Sequence, residues 1–261
     1  MELSNFNLLE IFTFFSTLCL ILGHNLWLVG KNETAEKTKI EINTGDDFPA
    51  SDSAVKTERI AGFQVLSKNG AQNIREFTVE GKSLTAIVEE KPKTAFVAGI
   101  ELLPHPITLE ADRFAHYIED EDAQICTAPN FVIGETNEDQ RESYAKFAKV
   151  LVKNNAENTE VFTQKIGHKF EIVLKEIADK HLRVQILFEN TPVENLRVSS
   201  GAENLNGGKY SAHTRTDETG FAEIEITQNG HWFVRSHLIR RHADVENFEW
   251  ESFWASVTFQ V

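Results

Sequence analysis

Short alternations of apolar and polar residues, cut by turn residues roughly every 8–12 positions, recur along most of this 261-residue chain, and they restrict it to stacked, mainly antiparallel sheets. A strand with one buried face repeats every two residues. The clearest unit covers residues 216–242. Thr216-Asp217-Glu218-Thr219-Gly220 reads as a turn, and residues 221–226 as a strand with Phe221, Glu223 and Glu225 on one face and Ala222, Ile224 and Ile226 on the other. Asn229-Gly230 marks a hairpin, because both residues accept positive φ. Residues 231–239 form the return strand. Parity puts His231, Phe233, Arg235 and His237 on one face and Trp232, Val234, Ser236 and Leu238 on the other.

The same reading gives strands at 26–29, 37–43, 59–66, 76–79, 83–88 and 94–102, then a second set at 168–175, 181–189, 196–199, 209–216, 221–226, 231–239 and 253–261. The expected fold is all-β: two β-sandwich domains, the second immunoglobulin-like or transthyretin-like, with a short helix between. That helix spans residues 109–122, where Leu109, Phe114, Tyr117 and Ile118 form an apolar stripe. Its acidic C-terminal end opposes the helix dipole and predicts an early stop. His116 lies beside the stripe as a packing or surface residue. Residues 126–141 read as a polar connector, 143–153 fit helix and strand equally, and 156–165 form a polar linker. The organisation is then a signal peptide at 1–23, an N-terminal sandwich at 24–125, a connector at 126–164 and a C-terminal sandwich at 165–261.

A net charge of −14 argues against nucleic acid as a partner. Residues 8–22 are almost wholly apolar, short for a membrane span and suited to a signal-peptide core. The predicted location is therefore periplasmic or otherwise extracytoplasmic. The preceding MELSNFN lacks Lys and Arg, which keeps a retained anchor as the alternative. Cleavage after Gly23 would make His24 the first residue, and its α-amine and imidazole would then chelate as a pair. One further imidazole completes a three-nitrogen site suited to copper or nickel. The alternative is that His24 simply precedes the first strand. Cys19 falls in the leader, so Cys126 is left as one free thiol, expected to be inert. No Gly-x-Ser-x-Gly, His-Glu-x-x-His or phosphate-loop motif occurs.

His24-Asn25-Leu26-Trp27-Leu28, Gly45-Asp46-Asp47-Phe48-Pro49, residues 110–118, residues 141–149, Gly230-His231-Trp232-Phe233-Val234 with His237, and the closing run from Trp250 to Phe259 together resemble a NikM-like family of bacterial exported proteins. That family is a domain of unknown function associated with nickel and cobalt transport. The resemblance implies a transition-metal role, with His24 and His237 at motif positions.

The resulting expectation is a metal site of His24 and His237, assisted by His231 or Glu251, for nickel, cobalt or copper, in an accessory protein that serves an inner- or outer-membrane metal transporter. Asp46 and Asp47 could approach it, or stay solvated. Trp250, Phe253 and Trp254 are expected as core anchors. Two other readings remain open: a copper oxidase or monooxygenase built on the N-terminal histidine, and a non-metal adhesion or ligand-binding sandwich.

Overall fold

The computed structural model describes residues 24–125, 137–178, 180–205, 208–210 and 212–261. The leader, its cleavage position and Cys126 lie outside these residues.

The longer strands are β1 (Asn25–Asn32), β2 (Lys37–Gly45), β3 (Ile60–Ser67), β4 (Ser83–Glu89), β5 (Phe96–Leu109), β6 (Gln140–Val152), β7 (Phe170–Ala178), β8 (His181–Phe188), β9 (Arg197–Ala202), β10 (Phe221–Glu225), β11 (His231–Arg241) and β12 (Trp250–Gln260). One helix, α1 (Ala111–Asp120), follows β5. The chain is thus an all-β assembly of stacked sheets with a single α-helix among the described residues.

Three sheets carry the fold. A nine-stranded sheet has β9, β11, β12, β6, β5 and β3 in that order, with Ala212–Arg215 and Gly70–Asn73 at its ends. A five-stranded sheet containing β1, β2 and β4 covers one part of it, and a four-stranded sheet containing β7, β8 and β10 covers another. The first core packs Leu26, Leu28, Ile40 and Ile42 against Phe96, Ile100 and Val150. The second packs Ile172, Val184 and Ile186 against Trp232, Val234 and Phe253. Two sandwiches therefore share one sheet.

The strand that joins them lies inside the expected connector. Residues 140–152 form β6, paired parallel with β12 from Glu142↔Trp250 to Val150↔Thr258, and antiparallel with β5. Its even residues Ala148, Val150 and Val152 enter the first core, and its odd residues Ala145, Phe147 and Leu151 the second. A strand buried on both faces shows no polar–apolar alternation, which is why residues 143–153 fitted a helix equally well.

Helix α1 stops at Asp120, as its acidic end requires. Arginines of the second sandwich meet that end: Arg235 pairs with Glu121 at 2.8 Å, Arg215 with Asp122, and Arg197 donates to the Asp120 carbonyl. Phe114, Tyr117 and Ile118 pack on Ile239, Trp250 and Trp254. The apolar stripe read from sequence thus closes the outer face of β11 and β12.

Candidate metal centre

His24 is placed by the way β1 lies across the nine-stranded sheet. Three carbonyls of equal parity face that sheet. Lys146 Nζ donates to the His24 carbonyl, Ser256 Oγ to Leu26 O at 2.5 Å, and Thr258 Oγ1 to Leu28 O at 2.5 Å. The ring of Trp27 meets Phe48 edge-on at 5.5 Å, and Phe48 packs against Phe233 at 4.8 Å. Aromatic pairs of this kind contribute about 0.5–1.5 kcal/mol each beyond burial.

Phe48 also holds the loop that follows β2. Its N–H donates to Gly208 O at 3.1 Å. Gly208 has φ +79°, and a Cβ there would sit 2.1 Å from Phe48 O. Glycine is required at that contact on both counts. Further along, Asp52 N–H donates to Thr44 O at 2.7 Å, and Asn43 Nδ2 to Pro49 O at 3.0 Å. A Cβ on Gly45 would lie 2.9 Å from Asp52 Oδ2, so glycine leaves the room that the Asp52 carboxylate occupies.

The outcome is a cluster of one imidazole and two carboxylates. His24 Nδ1 lies 3.4 Å from Asp46 Oδ1 and 3.6 Å from Asp52 Oδ2. One ligand atom from each of the three residues falls within 4.8 Å of the others. Nδ1 itself is shut off from solvent and has no hydrogen-bond partner. Donors about 2.1 Å from a central ion stand roughly 3.0–3.4 Å apart, and the two histidine–carboxylate distances are close to that spacing. Asp47 stays exposed and turns the loop, its carbonyl accepting from Ala50 N–H at 2.8 Å.

The other expected ligands are not gathered there. His237 is on the same face of the sheet but buried: its Nε2 is 2.8 Å from the Tyr117 hydroxyl, and its ring stacks on Trp254 at 3.9 Å. Burial, with Arg235 and Lys146 nearby, holds its pKa well below the ordinary histidine value, so the ring is neutral. Its Nδ1 has no partner. His231 is six residues back along β11, about 20 Å away, where it pairs with Glu203 at 2.7 Å and borders a separate groove of about 900 Å³. Glu251 has the parity of Phe253, Ala255 and Val257, which face the second core, whereas Trp254 and Ser256 face β1. It is therefore on the wrong side of the sheet for His24, and Arg240 Nε takes its carboxylate at 2.5 Å.

Beside His24 opens a cavity of about 300 Å³, walled by Arg59, His105, Glu142, Tyr144, Lys146 and Trp254 among others. Glu142, Tyr144 and Lys146 alternate on β6 and so share one face. The Glu142 carboxylate accepts from the Ser252 and Tyr117 hydroxyls, and burial pushes its pKa up to about 7. Burial, with Arg59 and Arg235 close by, lowers Lys146 to about 8. His105 is lowered by burial and by the charges of Arg59 and Lys56.

A family model described as "Domain of unknown function (DUF4198)" matches residues 21–240. The chain belongs to this family. No curated protein matches it. Among solved structures it is similar to a two-domain fibronectin type III segment of chicken tenascin, at 11% identity and TM-score 0.22, covering 82% of this chain and 90% of that one. It is also similar to the D0-D1 domain of intimin, at 14% identity and TM-score 0.20, covering 91% of this chain and 98% of that one. The BSP domain of a biofilm-associated protein matches at 9% identity and TM-score 0.21, covering 94% of this chain and 54% of that one. TM-scores at this level bear on no site.

Within this DUF4198 chain, sequence reasoning marked His24 and Asp46 but missed Asp52, Arg59, Glu142 and Lys146. The period-two run Glu142-x-Tyr144-x-Lys146 was the available signal: polar groups on one face of a strand need a partner or a cavity. Asp52 had none, because its approach depends on how the loop docks on Phe233 and Gly208.

Proposed function

We propose that this protein is an exported binder of a divalent transition-metal ion, held by His24, Asp46 and Asp52, and that it buffers the ion or passes it to a membrane transporter. The observation that carries this reading is the buried Nδ1 of His24, which makes no hydrogen bond and faces two carboxylates at 3.4 and 3.6 Å. A buried polar atom without a partner is rare in folded proteins and costs free energy. A bound ion would remove that cost. Nδ1 is also the ring nitrogen that closes a six-membered chelate with the amine of the same residue, once the chain begins at His24. A set of imidazole, amine and carboxylates suits nickel, cobalt, copper or zinc by ligand type, and nickel or cobalt agrees with the resemblance of the motifs. We read the protein as a carrier and not a catalyst.

The test is spectroscopic. Cobalt or nickel added to the chain beginning at His24 is expected to give ligand-field bands that weaken in Asp46→Asn and vanish in the Asp46→Asn/Asp52→Asn double variant. Bands unchanged in the double variant would overturn the assignment of the carboxylates.

A further inference from the structure

We propose that the cavity beside His24 is a binding site for a small organic carboxylate. The chain carries 26 Lys and Arg against 40 Asp and Glu, so cations should find carboxylate partners easily. Around this cavity they do not. Among the described residues, Lys56, Arg59 and Lys146 line it, and none has a carboxylate oxygen within ion-pair distance. Lys146 is 7% exposed, and its ammonium is hydrogen-bonded to one backbone carbonyl, that of His24. The Arg59 guanidinium donates through Nη2 to Leu103 O at 2.8 Å, while its buried Nε has no partner. Buried cations are ordinarily paired, and an arginine with free donors matches a carboxylate in a bidentate fork.

The rest of the wall suits an organic body. Arg59 and Lys146 sit over the Tyr144 ring at 5.5 and 5.3 Å, and Lys146 lies 5.9 Å from the centre of the Trp254 ring. Leu102, Ile107 and Leu109 add apolar surface. Glu142 is the one carboxyl among the described lining residues, and its Oε1 accepts from both the Ser252 and the Tyr117 hydroxyls. A cavity of about 300 Å³ falls at the small end of the roughly 300–1,000 Å³ of small-molecule sites. Aromatic faces, apolar sides and the Arg59 and Lys146 cations over the Tyr144 ring are the complement of a carboxylate carried on a compact apolar or planar frame.

His24 borders both sites, but carboxylate binding needs no ion, so it is tested on metal-stripped protein. The full chain is titrated calorimetrically with benzoate, citrate, inorganic phosphate and the neutral analogue benzamide. Saturable binding of benzoate or citrate is expected, at least tenfold tighter than benzamide and tighter than phosphate. Arg59→Gln should weaken it at least tenfold, while Lys37→Gln, whose lysine pairs with Glu89 on the surface, leaves it unchanged. Arg59 is only partly buried, so its variant is expected to keep the melting temperature of the parent. Lack of saturable binding, equal affinity for benzamide or phosphate, or an Arg59→Gln variant that binds like the parent would each overturn the proposal.

Discussion

Strand β6 buries two lysines three residues apart, and they face opposite sides of the same sheet. Lys149 points into the second sandwich and pairs with Glu171 at 2.8 Å, both side chains 2% exposed. Glu171 also accepts from the Ile166 and Gly167 N–H groups. Burial pushes its pKa up, but Lys149 and these bonds outweigh it and hold the carboxylate low. Lys146 points toward β1 and meets a carbonyl, two aromatic rings and a cavity. Each lysine has a histidine near it, the half-buried His168 on one side and the buried His237 on the other, both lowered chiefly by desolvation. The same residue types on one strand thus make a closed structural group on one face and an open one on the other. Burial alone does not mark a functional lysine; the lack of an anionic partner does.

Removing the anion from the closed side should have the largest effect. Glu171→Gln leaves Lys149 buried and unpaired, and truncating one partner of a buried pair costs about 3–5 kcal/mol. Glu142→Gln on the open side keeps an acceptor for the Ser252 and Tyr117 hydroxyls and should cost well under half of that. Urea denaturation of the two variants measures both; equal losses would erase the distinction.

Acidity sharpens it next. Glu142 in the folded chain titrates near 7, against about 4.3 when unfolded. The folded state therefore holds an extra proton between those values, and this group's contribution to stability is present at low pH and lost as pH rises through 7. The window amounts to about 4 kcal/mol at about 1.4 kcal/mol per unit. Glu142→Gln should remove that falling slope. His168 has the opposite sign. Burial and the nearby Lys149 charge lower it to about 4, so the unfolded state binds the extra proton, and its contribution is present above about 6.5 and lost as pH falls toward 4. His168→Phe should flatten the acid limb. Melting profiles from pH 4 to 8 separate the two effects, and matching profiles for both variants would contradict the assignment.

The smallest expected effect is positional. Gly45→Ala places a Cβ 2.9 Å from Asp52 Oδ2 and should push that carboxylate away from His24. Metal affinity is expected to fall several-fold while the melting temperature moves by only a few degrees. An unchanged affinity would mean that Asp52 is not a ligand.

Much of the scaffold was legible because it obeys local rules. The β11 alternation placed Trp232, Val234 and Leu238 in the second core and His237 on the opposite face. The stripe of α1 predicted Phe114, Tyr117 and Ile118 as its buried residues. Strand β6 was not legible as the centre of the shared sheet, since both of its faces are buried and lysines interrupt them. The site was legible only in part. His24 and Asp46 stand out in sequence, but Asp52 reaches them through a loop anchored on Phe233, far along the chain. Glu251, expected as a helper, differs from Trp254 by one strand face, and parity from Phe253 already carried that information.

Whether His24 anchors an ion is decided by calorimetric titration of the chain beginning at His24 with nickel, copper, cobalt and zinc. The control carries one extra residue before His24. Stoichiometric binding to the first protein, weakened at least tenfold in the control, is the predicted result. Absence of binding, or binding indifferent to the extra residue and to loss of Asp46 and Asp52, would contradict it.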